Sequence, residues 1–168
     1  MWLYALTRGV VHNPGILAAF LGMAVAQGIK VPIFYLTNRK WDFRKLLSTG
    51  GMPSSHSATV SALSTVVGIR SGPNSLLFAA CTVFAVIVMY DAAGIRRHAG
   101  EQAVALNNLA ADIGKYIDRH FMGEDHVVYE KRLKEMLGHQ PMEVFMGCLL
   151  GIAIGTLAAT WLPGPPIR

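Results

Sequence analysis

The run Gly50-Gly51-Met52-Pro53-Ser54-Ser55-His56-Ser57-Ala58 packs two hydroxyls and an imidazole against the start of an apolar stretch. Each residue type there has a chemical use. Gly50 and Gly51 let the backbone approach a ligand closely and take angles that other residues avoid. Pro53 suits a first helical turn but not a helix interior. Ser54 and Ser55 can cap that turn. Free N–H groups and the positive dipole end of a helix start attract an anion. His56 titrates near neutral pH, so it offers a proton donor or acceptor beside that anion. The stretch is expected to cradle a phosphate-like group next to a built-in acid.

Two further clusters carry ionisable groups. One is Asp91-Ala92-Ala93-Gly94-Ile95-Arg96-Arg97-His98, and the other is Gly138-His139-Gln140-Pro141-Met142-Glu143. His139 and Glu143 are four apart, so on one helical face the carboxylate would orient and polarise the imidazole. Lys30, Asp91 and Glu143 lie in or beside apolar segments, where a charge is costly without a partner or a role. Plainer readings stand beside these. Asp91 would form a structural ion pair with Arg96, Lys30 would snorkel, and Glu143 would complement a helix dipole. Ser54 and Ser55 fit caps and anion donors better than nucleophiles, because no glycine-flanked elbow or base dyad surrounds them. His12, His98, His120 and His126 read as surface residues.

These groups must be positioned by a membrane scaffold. The chain has 168 residues, of which 52% are hydrophobic and 15% charged, and its mean hydropathy is +0.39. That is too apolar for an ordinary soluble domain and too short for two domains. A crossing helix needs roughly 20 mostly apolar residues. Four spans are expected, at about 14–36, 55–70, 74–93 and 141–162, the second being short for that requirement. They make a single membrane domain over residues 1–168. Ser71-Gly72-Pro73-Asn74 reads as a tight turn between the second and third spans. The long connection 94–140 shows helical spacing, giving one helix from about 99 to 120 and another from about 126 to 137. Either would lie along the membrane surface. The expected fold is therefore an all-α integral membrane protein with four transmembrane helices plus one or two interfacial or cytoplasmic helices.

Charge sets the expected orientation. The net charge is +5, and most cations fall in loop 37–52 (Arg39, Lys40, Arg44, Lys45) and in 94–140. With four spans both loops share a side, and the positive-inside rule makes that side cytoplasmic. The N-terminus has no signal-peptide cleavage pattern, so the first apolar run is expected to be retained. Nothing interleaves aromatic with basic residues, so no nucleic-acid partner is expected. Cys81 and Cys148 both lie in apolar runs without a second ligand at metal spacing, so neither a disulfide nor a metal site is expected. Gly147, Gly151 and Gly155 repeat every four residues along the last span, a spacing that allows close helix packing. With the little surface that four spans, one of them short, bury around a polar site, this ladder leads to the expectation of a homodimer.

The motifs together resemble the type 2 phosphatidic acid phosphatase superfamily, which includes lipid phosphatases, bacterial acid phosphatases and vanadium haloperoxidases. More closely they resemble its short divergent membrane branch. The resemblance runs through Gln27-Gly28-Ile29-Lys30, Gly50 to Ala58, Tyr90 to Arg96, Gly100, Gln102-Ala103, Asn107 and Glu135-Met136-Leu137-Gly138-His139. Pro53-Ser54-Ser55-His56 matches the superfamily's proline-serine-glycine-histidine motif, with Ser55 in place of glycine. His139 with Glu143 matches the end of its third motif, with glutamate for aspartate. No serine-arginine pair precedes His139 at the usual distance, so Arg96 is the candidate substitute. Lys30 is the nearest remnant of the first motif.

The resemblance implies a lipid phosphate phosphatase working through a phosphohistidine, without a cofactor. His139 would be the nucleophile and His56 the acid for the leaving alcohol. Glu143 or Asp91 would orient a histidine, and Lys30, Ser54, Ser55 and Arg96 would bind the phosphate. The expected substrate is a lipid phosphate of the phosphatidate, phosphatidylglycerophosphate or polyprenyl phosphate type. The expected place is the cell (inner) membrane, with the site on the cytoplasmic side. Two alternatives are a polyprenyl diphosphate pyrophosphatase and a protein that binds or transports lipid phosphates without turnover.

Overall fold

The computed structural model describes Gly9, residues 11–48, 50–120, Leu133 and residues 140–162; for 95–97 and 117–120 it describes the backbone alone. Helix α1 spans Pro14–Asn38, a 3-10 turn spans Phe43–Leu47, α2 spans Ser55–Ser71 and α3 spans Leu76–Ala93. Helix α4 spans Ile95–His120 and α5 spans Pro141–Trp161. Among the described residues every regular element is helical.

Local chemistry sets the helix starts. Asn13 caps α1 through Oδ1, which accepts the N–H groups of Gly15 (2.9 Å) and Ile16 (3.2 Å), and Pro14 takes the first helical position. Ser75 caps α3 by accepting the Phe78 N–H at 3.2 Å. Ser54 caps α2, its Oγ accepting the Ser57 N–H at 3.4 Å. Pro53 therefore lies outside the first turn it was expected to occupy. A side chain on the preceding residue takes the capping role, so the helix waits for Ser55. The amphipathic helix of the long connection also starts earlier than expected, at Ile95, directly after Gly94 breaks α3. The expected helix at 126–137 lies outside the described residues.

α2 is the centre of the bundle. Gly15 of α1 adjoins Leu63, and Gly22 adjoins Ala58 and Ala62, so α1 and α2 run antiparallel. Ser64 Oγ donates to the Cys81 carbonyl at 3.1 Å and Gly68 touches Phe78, so α3 runs antiparallel to α2 as well. Gly147, Gly151 and Gly155 adjoin the carbonyls of Ser54, Ala58 and Ala62 in turn, so α5 runs parallel to α2. At the far end the Arg70 guanidinium donates to the carbonyls of Ala159 (3.1 Å) and Leu162 of α5. The consequence is functional: the end of α1, the start of α2, the end of α3 and the start of α5 all meet at one end.

The packing is small inside and large outside. Ala18, Ala26, Ala58, Ala62, Ser54 and Ser57 are at 0% exposure, while Phe20, Val83, Ile87, Phe145 and Leu157 are more than half exposed. A soluble domain would reverse this. In lipid, large apolar side chains lose nothing by facing outward, and helices associate by close approach of small residues. A Cβ on Gly147 or Gly151 would lie 2.4 Å from an α2 carbonyl oxygen. The glycine ladder is thus enclosed against α2 of the same chain. It does not supply the dimer face expected of it.

Among the described residues three helical runs are long and apolar enough to cross a membrane: α1, the run that begins with α3, and α5. α2, at 17 residues, falls short, as its sequence hinted. Its hydroxyls (Ser57, Ser61, Ser64) are sheltered by the surrounding helices instead of facing lipid.

Candidate functional site

Helix α2 begins where α5 begins. The Ser54 N–H donates to the Glu143 carbonyl at 2.9 Å, and Gly147 lets the two backbones touch one turn later. Ser54 is fully buried and Ser55 is 7% exposed, so both hold the helix start in place. His56 follows in the first turn, half-buried. Gly51, at φ 92°, takes the left-handed conformation that the sequence anticipated for this stretch.

The loop before α2 is latched onto α1. Lys30 is 4% exposed and its Nζ donates to the Ser48 carbonyl at 3.2 Å. Gln27, one turn earlier, donates from Nε2 to the same oxygen at 3.5 Å. Ser48 Oγ in turn donates to the carbonyls of Lys45 (2.9 Å) and Gly50 (3.0 Å). Lys30 therefore does not snorkel: its ammonium stays inside and interacts electrostatically with Glu143. An ammonium carries three donors, so the Ser48 bond leaves donors for an anion.

Glu143 occupies the third position of α5, where its Oε2 accepts the Gln140 N–H at 3.2 Å. The helix starts at Pro141, after a non-helical Gln140. The cap residue Gln140 is the last described residue before that helix. Proline at the first helical position fixes this boundary. Glu143 closes the capping box of the helix start, and the expected i,i+4 pairing with His139 falls on a residue that is not described. His139 itself lies outside the described residues.

Asp91 stands half-buried in the last turn of α3, at the same end of the bundle. Arg96 follows in the first turn of α4, where the backbone alone is described. His98 is exposed and pairs with Glu101 at 3.2 Å, a surface arrangement. Asn107, midway along α4, grips the backbone of Leu133 at both ends: Nδ2 donates to its carbonyl and Oδ1 accepts its N–H, each at 2.9 Å. That clamp ties the chain six residues before His139 to α4.

The sequence did not single out Lys45, over the Phe34 ring, or Gln27, bonded to Ser48, as candidates. Lys45 lay among cations that the positive-inside rule already explained, and Gln27 carries no charge to mark it. A cleft of about 370 Å³ runs between α1 and residues 45–52, lined by Lys30, Phe34, Lys45, Ser48, Gly50 and Gly51 among others.

Comparison with known proteins places the chain in a family. Residues 11–154 match the profile of the Divergent PAP2 family, and the chain belongs to that family. It is 48% identical over 152 residues to the Uncharacterized membrane protein YuiD of Bacillus subtilis (strain 168), covering 89% of this chain and 96% of that protein. No solved structure matches. The chain is thus a membrane protein of the phosphatidic acid phosphatase type 2 superfamily.

Proposed function

We propose that the protein is an integral membrane phosphatase of lipid phosphates. The observation that carries this reading is that His56, in the first turn of a buried central helix, stands at the same end of the bundle as a buried lysine under the electrostatic influence of Glu143. Pure anion binding needs only cations and N–H groups; an imidazole beside them adds proton transfer. In the proposed reaction His139 attacks phosphorus in line and the bond to the lipid oxygen breaks. His56 gives its proton to that departing oxygen. Water then attacks the phosphohistidine, His56 takes its proton, and phosphate leaves. Lys30, the α2 N-terminus with Ser54 and Ser55, and Arg96 hold the nonbridging oxygens. Asp91 or Glu143 fixes a histidine's orientation.

An apolar slot of about 480 Å³ beside α2, reaching from Ser61 and Cys148 to Pro73, supports a substrate with a hydrocarbon chain. Its hydroxyls turn inward: Thr65 Oγ1 donates to Ser61 O at 2.8 Å and Thr82 Oγ1 to Phe78 O at 2.8 Å. Ser61 is five residues past His56, about 7.5 Å along the helix at 1.5 Å per residue, so the slot begins within a lipid's length of the His56 end. In this reading α2 is a fourth crossing element, both polar loops are cytoplasmic and the membrane is the cell membrane.

The test is phosphate release by the purified protein in detergent from phosphatidate, lysophosphatidate, phosphatidylglycerophosphate and undecaprenyl phosphate. Release from at least one, absent in the His56→Ala variant, supports the reading. Tight binding of these lipids with no release from any would favour the binding or transport alternative.

A further inference from the structure

The cleft between α1 and residues 45–52 has two cationic walls. Lys30 contributes one from α1 and Lys45 the other from the 3-10 turn. Lys30 is bonded to Ser48 and interacts with Glu143, as described. Lys45 is differently placed. Its Nζ sits 4.8 Å from the centroid of the Phe34 ring, a cation–π contact that holds the ammonium against an apolar wall of the cleft. Among the described residues no carboxylate pairs with it. A positioned cation without an acidic partner, lining a cleft, is complementary to an anion from outside the chain.

The cleft is larger than one phosphate requires. Its 370 Å³ is roughly twelve times the share of one liquid water, about 30 Å³. A tetrahedral phosphate displaces only a few waters. Most of the lining is apolar, from residues such as Ile33, Phe34 and Met52, which suits the linker between two charged groups better than a hydrated ion. Gly50 and Gly51 border it without side chains, so backbone can close on the ligand. The same loop runs directly on to Ser54 and His56.

We propose that this cleft takes a second phosphate of the substrate, with Lys45 as its cationic partner. The preferred substrate is then a lipid bearing two phosphates, either a diphosphate or a phosphomonoester next to a phosphodiester. The inference rests on reading the His56 end as a lipid-phosphate site. It assigns Lys45 a role in substrate choice and none in bond breaking.

Binding tests it apart from turnover. Dissociation constants are measured for the full chain in neutral detergent with dioleoyl phosphatidate, dioleoyl phosphatidylglycerophosphate and dioleoylglycerol diphosphate. The wild type should bind at least one two-phosphate lipid about tenfold tighter than phosphatidate, the scale of one charge-assisted hydrogen bond. Which of the two is preferred tells a diphosphate from a separated pair. Lys45→Met should remove the preference and leave phosphatidate affinity within about twofold; Lys45→Arg should keep most of it. Equal wild-type affinities for all three lipids would overturn the proposal. So would Lys45→Met weakening phosphatidate as much as the two-phosphate lipids, which would show only general surface attraction. A preference for two phosphates without any phosphate release would defeat the phosphatase reading and leave this one standing.

Discussion

Lys30 shows what one residue can and cannot disclose in a sequence. A lysine inside an apolar run has two ordinary explanations, snorkelling and function, and only the fold separates them. The Ser48 carbonyl and Glu143 hold it inside, at 4% exposure. Lys30→Met should therefore act twice, unlatching the loop before α2 and removing an anion partner. Lys30→Arg keeps the charge but not the compact head, so it should fall between. We expect phosphate release to drop about a hundredfold or more in Lys30→Met, the scale of one lost charge-stabilising donor. An unchanged rate would return Lys30 to a purely structural role. The helix start that carries His56 was legible because proline, serine and histidine stood together before an apolar run. The start of α5 was legible as well: Pro141 marks a first helical position, and Glu143 closes the capping box there. If His56 is the general acid, His56→Ala should slow lipids with poor leaving groups far more than an activated aryl phosphate. Equal loss on both would argue against the acid role.

At the scale of elements, helix positions were legible and their arrangement was not. The apolar runs and their Pro, Asn and Ser boundaries located four of the helices to within a few residues. Hydropathy ranked α2 as the weakest span, yet it is the one that α1, α3 and α5 surround. A hydropathy count scores what lipid sees, and α2 sees little lipid. The same logic explains the glycines. Spacing identified a close-packing face but not its partner, which is α2 of the same chain. Gly151→Ala should lower the thermal unfolding temperature, because its Cβ would meet the Ala58 carbonyl at 2.4 Å and force the helices apart. Overpacking of this kind costs about 1–3 kcal/mol. Gly28→Ala is the control: nothing lies within 4 Å of its Cβ position, and alanine favours the helix by up to about 1 kcal/mol. Equal effects of the two substitutions would contradict the packing described.

The whole molecule is a small-cored helical bundle whose antiparallel and parallel pairings bring four polar helix ends together. That convergence was legible in outline, since four alternating spans must place loops 37–52 and 94–140 on one side. The glycine ladder packs within the chain, so the expected homodimer would have to use another face. The side of the membrane is open to a direct check. Single cysteines at Lys40 and Lys115, in a background with Cys81 and Cys148 replaced, should resist an impermeant thiol reagent added to intact cells and react after lysis. Labelling from outside would reverse the orientation. Vanadate should inhibit at low concentration by imitating the in-line transition state, and chelators should leave activity intact. Inhibition by EDTA, reversed by magnesium, would point to carboxylate–metal chemistry at Asp91 or Glu143. The central claim is phosphoryl transfer through a histidine, and trapping the intermediate tests it most directly. The purified protein is mixed with a lipid substrate carrying a radiolabelled phosphate and quenched in denaturant within its first turnovers. We predict protein-bound label that survives alkali, is released by mild acid, and is absent from His139→Ala. Turnover with no bound label, or the same label retained in His139→Ala, would contradict the account.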